Sequence, residues 1–372
     1  MKKACFIIFT FVLFSAAFAQ SMFDGQYQII NESRFIGQEA PKANRSPFAA
    51  TLVTIFDSTE EVRFPDYIIG EQSQAFTDKR KVESFKINKF ETTYALYYPV
   101  RLWAEANGYT FQNPGQEGSA GRRGRAPTEK GSFEPVTSIN WRDAVVWCNA
   151  LSELMGRKPC YSYRGSVLRD STDGAAVDLC VCDFTQSGYR LPTETEWEYA
   201  ARLTSTGFQR GDLVSGSVKE DGTSTSLINE NELCWSSANT VKTKTVGTAG
   251  AARSPYGNYS QLDSPGSGKA NAMGLFDMSG NILEFCYDWF ADYTSVPYGE
   301  RAAGPEFGSE RVSRGGSWSP YSCFLLTGDR YSYDPDEAYN YMGFRICRSL
   351  TAEDYTKPET LSQEEIIILP VR

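Results

Sequence analysis

The sequence predicts a loop-rich α+β fold, built from short strands, a few helices and long irregular connections. Glycine and proline are abundant, with 31 and 17 residues among 372, which disfavours a helix bundle. Helical periodicity is clear in only a few stretches, and residues 203–270 are rich in Ser, Thr and Gly instead. Apolar residues make up 41% of the chain, which is enough for a buried core and argues against wholesale disorder.

Composition excludes several classes of function. The chain contains no histidine, so His-ligated metal sites, Ser-His-Asp triads and histidine general bases are all excluded. Its net charge of −9 argues against a nucleic acid or an anionic membrane as partner, because both bind basic surfaces. Any catalysis would depend on carboxylates, Lys, Tyr or Cys.

Residues 1–19 have the three parts of a secretory signal peptide. Lys2 and Lys3 precede an apolar run, and an Ala-Phe-Ala cleavage motif ends at Ala19. The apolar run is too short for the alternative, a transmembrane anchor. We therefore expect export to the periplasm, the cell surface or the medium, without a membrane span.

Eight of the nine cysteines follow the predicted signal peptide. An even number of cysteines in an exported chain permits disulfides, but their pairing cannot be read from the sequence.

Strands are predicted at four places before the first helix, namely residues 27–30, 48–55, 67–70 and 82–90. The pattern becomes regular only from residue 66. We therefore assign residues 20–65 to an N-terminal extension.

Two helices are predicted in the first half of the chain. The first covers residues 92–107 and stops at a glycine. The second covers residues 141–155, with Asn140 as its N-cap, Asp143 in its first turn and Gly156 as its stop signal.

A third helix follows Thr193, which has capping-box spacing with Glu196. Trp197 faces inward on this helix, as a core residue does. In the long Ser/Thr/Gly-rich region the one strand predicted is at residues 233–235.

Five motifs occur in a fixed order. They are Asn-Trp-Arg-Asp-Ala at 140–144, Gly-Tyr-Arg-Leu-Pro-Thr-Glu-Thr-Glu-Trp-Glu at 188–198, Asn-Ala-Met-Gly-Leu-Phe-Asp-Met-Ser-Gly-Asn-Ile-Leu-Glu-Phe at 271–285, Arg-Gly-Gly-Ser-Trp at 314–318 and Gly-Phe-Arg at 343–345. Together they resemble the formylglycine-generating enzyme (sulfatase-modifying factor) family over residues 66–350. The resemblance implies a modified C-type lectin fold with a small twisted sheet, two main helices and much irregular loop, followed by a C-terminal tail at 351–372.

The resemblance also implies a calcium site. Asp277 and Glu284 would match calcium ligands, completed by the carbonyl groups of Gly280 and Ile282. Closely spaced oxygen ligands in a glycine-containing turn suit this hard cation. In a metal-free relative the two carboxylates would instead cap the turn.

Catalytic members of the family carry two cysteines after the Gly-Gly-Ser motif, where they bind copper. Alignment on that motif places Pro320 and Leu325 at these positions, and Cys323 is alone and out of register. Copper(I) needs two soft ligands, so no copper is expected and the chain is predicted to be a non-catalytic member. The alternative is a copper-dependent formylglycine-generating oxidase that acts on sulfatase cysteines. A related iron-dependent sulfoxide-synthase branch needs a histidine cluster, which is absent.

Residues 319–341 have the composition of a binding surface. The 24 residues from Ser319 to Met342 contain five of the 21 tyrosines, interspersed with Ser, Asp and Asn, as in antibody paratopes. The stretch also lacks apolar periodicity. The predicted ligand-binding residues are Ser319, Tyr321, Phe324, Asp329, Tyr331, Ser332, Tyr333, Asp334, Glu337, Tyr339, Asn340 and Tyr341. We expect a monomer whose ligand is a protein or a glycan.

This arrangement resembles the variable proteins of diversity-generating retroelements, in which the C-terminal part of such a fold is diversified at adenines. The spacing of the Gly-Gly-Ser-Trp motif, Arg330, Pro335-Asp336 and Gly-Phe-Arg agrees with theirs. The resemblance implies variation at the predicted ligand-binding residues and at Pro320. One departure is that the chain continues to Arg372, whereas variable regions usually end the chain. The alternative is an unspecified exported binding or scaffold protein of the same fold.

Overall fold

A computed structural model describes residues 48–56, 62–64, 78–80, 82–204, 207–217, 230–251, 265–292, 303–356, 361 and 363–370. The predicted signal peptide and the strands predicted at 27–30 and 67–70 lie outside these residues.

The described residues form five α-helices and seventeen short strands. The helices are α1 (Tyr94–Ala106), α2 (Trp141–Leu154), α3 (Gly174–Asp178), α4 (Glu194–Arg202) and α5 (Ala352–Tyr355). The strands are β1 (Phe48–Ile55), β2 (Val62–Phe64), β3 (Asp78–Arg80), β4 (Phe85–Asn88), β5 (Gln116–Glu117), β6 (Val136–Thr137), β7 (Tyr161–Tyr163), β8 (Ser166–Val167), β9 (Val181–Cys182), β10 (Leu203–Thr204), β11 (Gly207–Phe208), β12 (Leu283–Trp289), β13 (Arg311–Arg314), β14 (Tyr331–Tyr333), β15 (Met342–Gly343), β16 (Cys347–Ser349) and β17 (Glu365–Ile368). Single 3-10 turns occur at Glu230–Glu232 and Pro320–Ser322.

The three predicted helices are confirmed, and their first turns are closed by local side chains. The Thr93 hydroxyl accepts a hydrogen bond from the Leu96 amide at the start of α1. Both α2 and α4 begin with a complete capping box, formed by Asn140 with Asp143 and by Thr193 with Glu196. Each cap satisfies amide groups that would otherwise lack a partner in the first turn.

Two four-stranded sheets organise the chain. The first has the order β16-β4-β1-β17 and is antiparallel throughout. The second has the order β14-β13-β12-β15, with β12 and β15 parallel. A three-stranded sheet, β8-β7-β9, and several two-stranded ribbons complete the described structure.

Two paired strands lie outside the predicted domain boundaries at residues 66 and 350. Strand β1 lies at the centre of the first sheet, and β17 pairs with it, so that Thr51 is opposite Ile366. Both the predicted N-terminal extension and the predicted tail therefore contribute to the main fold. No local pattern reveals a pairing between residues more than three hundred positions apart.

Two strand predictions also need correction. The strand predicted at 233–235 is wrong, because the chain there leaves the Glu230–Glu232 turn and the Cys234 amide donates to the Glu230 carbonyl. The strand predicted at 82–90 is shorter and is limited to Phe85–Asn88.

The core consists of two apolar clusters. The larger one joins α1 to α2, where Trp147 stacks on Tyr97 with ring centroids 5.6 Å apart. The smaller one surrounds Trp197 of α4 and the inner face of the first sheet. None of the described helices has the length and hydropathy needed to cross a membrane.

We expect two neighbouring substitutions in β17 to have different effects on stability. Ile367 is 1% exposed and Ile368 is 41% exposed, because successive side chains of a strand point to opposite faces. Ile367→Ala should lower the free energy of unfolding by about 2–5 kcal/mol. Ile368→Ala is the matched control and should cost less than about 1 kcal/mol. Denaturant titration measures both, and two equally small effects would show that β17 is a dispensable tail.

Candidate functional site

Buried ion pairs hold both ends of the segment that contains the predicted binding residues. Arg314, the last residue of β13, pairs with Glu198 and, at 3.2 Å, with Glu194, both on α4. Arg345, which follows β15, pairs with Glu284 of β12 at 2.7 Å. The side chains of Arg314, Arg345, Glu198 and Glu284 are fully buried. Residues 315–344 are therefore anchored where they leave and re-enter the fold.

A third ion pair holds the middle of this segment. Arg330 donates from Nε and Nη2 to the two carboxylate oxygens of Glu194, at 2.6 and 2.7 Å. Burial alone would raise the pKa of Glu194, but Arg330 and Arg314 outweigh it and hold that pKa below its usual range. The segment is thus fixed at three points along its length.

The first part of the segment is a tight loop after the double glycine. Gly315 and Gly316 have φ angles of 93° and 69°, which favour glycine. A Cβ atom on Gly316 would lie 2.3 Å from the Phe324 carbonyl oxygen, so no larger residue fits. The Ser317 amide donates to the Ser322 carbonyl at 2.7 Å and closes the loop.

The predicted ligand-binding residues differ in their exposure. Tyr321 and Phe324 are the most exposed aromatic side chains among them, at 82% and 60%. Asp334 and Tyr339 are also exposed. Asp329, Tyr331, Ser332, Tyr333, Glu337, Asn340 and Tyr341 are half-buried.

Ser319 is a correction to the prediction. It is only 2% exposed, and its hydroxyl accepts a hydrogen bond from the Tyr321 amide at the start of the Pro320–Ser322 turn. It supports the loop and cannot present its side chain to a ligand. A serine just before a proline is a common capping pattern, so this role was readable from the sequence.

Six aromatic side chains form one surface, which we call the tyrosine surface: Tyr321, Phe324, Tyr331, Tyr333, Tyr339 and Tyr341. Tyr339 and Tyr341 stack with centroids 5.1 Å apart and an interplanar angle of 3°, and Tyr333 meets Tyr339 edge-on at 6.0 Å. The Tyr339 hydroxyl donates to Glu337 at 2.9 Å. These contacts limit the rotation of the rings before any ligand binds.

Three of these tyrosines also contribute to the fold. Tyr331, Tyr333 and Tyr341 pack partly against the larger apolar cluster. Tyr331 lies opposite Ser313 in β13, and its hydroxyl accepts a hydrogen bond from the Phe324 amide at 2.7 Å. Burial raises the pKa of Tyr331 and of Tyr341 above the usual range. Only part of each of these three rings is therefore available to a ligand.

A pocket of about 290 Å³ adjoins this surface at the end of β14. Its walls include Asp334, together with Trp289 and Phe307, which the sequence did not single out. These residues come from three separate segments, and no local pattern links them.

The predicted calcium ligands lie close together, but they interact with protein groups. Glu284 accepts hydrogen bonds from the Arg345 guanidinium and from Trp197 Nε1, the latter at 2.8 Å. Asp277 Oδ2 accepts from the Gly247 amide at 2.5 Å. Among the described residues, Asp277 Oδ1 has no hydrogen-bond partner. Burial raises the pKa of Asp277 to about 6.

Sequence reasoning missed a third carboxylate beside them. Glu91 is fully buried and accepts hydrogen bonds from Asn281 Nδ2 at 2.6 Å and from the Ile282 amide at 3.1 Å. Burial raises its pKa well above the usual range, and Asp277 and Glu284 add to the shift. The carboxylate of Glu91 thus holds the turn of the 271–285 motif in place.

The four predicted residues do not fit a calcium site as a set. Both carboxylate oxygens of Glu284 accept hydrogen bonds from Arg345, so this carboxylate is already neutralised by a cationic side chain. Within the described ranges, no group of three or more Asp, Glu, Cys or His side chains is arranged to hold a metal ion. Glu284 is better explained as the partner of a buried arginine.

No pair of thiols lies beside the double glycine. Pro320 is exposed in its turn and Leu325 packs next to Gly316. Of the eight described cysteines none forms a disulfide, seven are buried, and Cys323 is exposed. Burial raises the pKa of Cys148 and of Cys286, which keeps these thiols protonated and unreactive.

Comparison with known families gives one match that covers most of the chain. A family model described as "Sulfatase-modifying factor enzyme 1-like domain" matches residues 50–350. The chain is 29% identical over 193 residues to the chaperone protein LppX of Paenibacillus barcinonensis, covering 51% of this chain and 60% of that protein. It is 31% identical over 166 residues to the formylglycine-generating enzyme of Streptomyces coelicolor, covering 43% and 46%. The chain therefore spans only about half the length of these relatives.

Solved structures extend the similarity to nearly the whole described fold. Treponema denticola variable protein 1 superposes with a TM-score of 0.55 at 26% identity, covering 81% of this chain and 95% of that chain. The structure of CarF superposes with a TM-score of 0.50 at 24% identity, covering 80% and 98%, and bears on the fold alone. These similarities confirm the predicted α+β fold of the C-type lectin kind.

We expect Glu284→Gln to lower the free energy of unfolding by about 3–5 kcal/mol, because it leaves the buried Arg345 without a counter-charge. The loss should be the same in millimolar calcium and in EDTA, and chemical denaturation measures it in both. Glu353→Gln, on the exposed side of α5, is the control and should be neutral. A loss seen only with calcium present, or a wild-type melting temperature that falls on chelation, would restore the calcium site.

Proposed function

The chain belongs to the family of sulfatase-modifying factor enzyme 1-like domains, and we propose that it is a non-catalytic member that binds a ligand at the tyrosine surface. The observation that carries the proposal is the anchoring of this surface. Buried arginines hold both of its ends and Arg330 holds its middle, while Tyr321 and Phe324 project into solvent.

The chemistry of the surface supports recognition. Tyrosine offers a large amphipathic contact area and loses little rotamer entropy on binding. The stacking of Tyr339 on Tyr341, and the bond from the Phe324 amide to Tyr331, reduce that entropy loss further. Exposed aromatic side chains on a rigid support are typical of the residues that dominate binding energy. The ligand would be a protein or a glycan.

The same region lacks the groups that an oxidase of this family would need. Pro320 and Leu325 stand at the positions of the two copper-binding cysteines, and neither side chain can ligate copper(I). Cys323 supplies one exposed thiol, which is half of the required pair. The absence of histidine from the chain removes the usual substitute ligand.

A finer version of the proposal is that the tyrosine surface is diversified by a retroelement. It is supported by the similarity to Treponema denticola variable protein 1 and by the spacing from the double glycine to Gly-Phe-Arg. The structure adds a physical reason. The anchoring ion pairs lie outside or beneath the exposed positions, so substitutions there leave the anchors intact. The signal-peptide pattern at residues 1–19 supports an exported protein, where such a surface meets external ligands.

We expect Tyr321→Ala/Phe324→Ala to lose ligand capture without loss of stability. Peptides selected from a displayed random library on the full chain serve as probes, and fluorescence anisotropy measures their binding. Removal of two exposed aromatic side chains from a binding surface should weaken binding at least about tenfold, or 1.4 kcal/mol. The melting temperature should stay within the spread of surface variants.

The matched control is Tyr355→Ala/Phe56→Ala, which removes one exposed Tyr and one exposed Phe outside the surface. Equal losses of binding in the two double variants would contradict the proposal. Oxygen-dependent conversion of a cysteine peptide in the presence of copper(I) would contradict its non-catalytic part.

Diversification predicts a specific pattern among strains. Codon differences at this locus should fall on adenines and should be concentrated at residues 319–341. They should spare Arg314, Arg330 and Arg345, because loss of an anchor exposes a buried Glu without its partner. Sequencing of the locus with its neighbouring DNA also tests for a reverse transcriptase and a near-copy of codons 311–348. Differences spread evenly along the gene would exclude retroelement diversification and leave binding itself untouched.

A further inference from the structure

The pocket beside the tyrosine surface lies where three strands of the second sheet end. Trp289 ends β12 opposite Arg311, which begins β13, and Arg311 is in turn opposite Tyr333, which ends β14. Asp334 and Pro335 continue directly from β14 and form one wall. Asp334 directly follows Tyr333 in the chain, so the pocket of about 290 Å³ lies next to the tyrosine surface.

The walls of the pocket combine apolar side chains with charged ones, which include Arg142 and its ion-pair partner Asp178. Trp289, Phe307, Leu179 and Pro335 line it, and Phe307 is 64% exposed. Behind Trp289, the guanidinium of Arg311 is held between two indole rings, 3.4 Å from the Trp289 centroid and 3.6 Å from the Trp141 centroid. This stack fixes Trp289 as a rigid wall.

The rim of the pocket is acidic. Asp334 lines it, and the Asp336 amide donates to Asp334 Oδ1 at 3.3 Å, which keeps these two carboxylates adjacent. Partial burial, Asp334 and Glu337 all raise the pKa of Asp336, as expected for crowded like charges. Within the described part of the chain, none of these three carboxylates forms an ion pair with a Lys or Arg.

The nearby cations are already engaged. Arg142 donates from Nε and Nη2 to the two oxygens of Asp178, each at 2.8 Å. Arg311 is buried and donates to the main-chain carbonyls of Tyr287 and Asp178, at 2.7 and 3.0 Å. Arg142 also attracts Asp334 and Asp336, but it is paired with Asp178, so the carboxylates outnumber this cation and the rim keeps a net negative charge.

We propose that this pocket binds a lysine or arginine side chain of a protein partner, whose adjoining residues lie across the tyrosine surface. The proposal rests on the binding function proposed above and specifies the partner as a basic polypeptide segment. The alkyl stem of such a side chain packs on Phe307 and Trp289, and its charged end reaches the carboxylates of Asp334 and Asp336. The net charge of −9 adds long-range attraction for a basic partner.

Binding of fluorescently labelled pentalysine to the full chain tests this assignment, with pentaglutamate as the negative probe. Asp334→Asn/Asp336→Asn should weaken pentalysine binding about tenfold, since it removes two rim charges. Phe307→Ala should weaken it several-fold through the lost apolar contact. Binding should also fall as salt rises, because the rim is exposed and therefore screened.

Two matched controls separate the pocket from general charge and general hydrophobicity. Glu353→Gln/Glu364→Gln removes two exposed acidic charges elsewhere, and Phe56→Ala removes an exposed phenylalanine elsewhere. Both should leave pentalysine binding within about twofold of the wild type. Equal losses in the pocket and control variants would overturn the assignment, as would pentaglutamate binding as tightly as pentalysine. The tyrosine surface has its own test: if Tyr321→Ala/Phe324→Ala loses its selected peptides while pentalysine fails to bind, the binding function stands and the basic partner is wrong.

Discussion

Three buried arginines, each paired with glutamate, are the constraint on which the rest of this structure depends. Arg190, Arg314 and Arg345 come from three separate motifs, and all three side chains are fully buried. A buried guanidinium is stable only with a well-placed counter-charge, because its desolvation costs several kcal/mol. The partners Glu196, Glu198 and Glu284 belong to α4 and β12. Arg314 joins α4 to the second sheet, and Arg190, which also donates to the Ser349 hydroxyl in β16, joins it to the first. These ion pairs fix the geometry of the fold, because they define where β13 ends and where the chain returns after β15.

This arrangement explains how an irregular segment can be ordered and can also tolerate substitution of its exposed side chains. The backbone between Arg314 and Arg345 is held by charges at its ends and by Arg330 on Glu194 near its middle. Side chains such as Tyr321 and Phe324 contribute little to that framework and can be chosen for recognition. The tolerance is uneven, however. Tyr331 contributes a hydrogen bond and core contacts, so its exposed edge can bind a ligand while its buried edge supports the loop.

Whether the sequence could predict a feature depends on how far apart in the chain the interacting residues are. The starts of α2 and α4 depend on caps within three residues, so Asn140 and Thr193 were sufficient to locate them. The tyrosine-rich composition likewise located the surface. The placement of β1 against β17 and of Glu284 against Arg345 joins positions far apart in sequence, which no local pattern reveals. The partner of Glu284 is an example, because the sequence shows a carboxylate suited to a cation but does not show that Arg345 supplies the positive charge.

The buried thiols and the tyrosine surface both agree with the proposal that this chain recognises a ligand. Catalysis by a thiol requires a thiolate, and burial raises the pKa of Cys148, Cys160, Cys180, Cys182, Cys234 and Cys286. Recognition requires accessible aromatic area and net charge on a rigid support, and both occur at the end of β14. The rim carboxylates of Asp334 and Asp336 repel each other in the free protein. In the proposed complex, a bound cation relieves that repulsion. Part of the favourable binding free energy therefore comes from removing a repulsion that is present in the free protein.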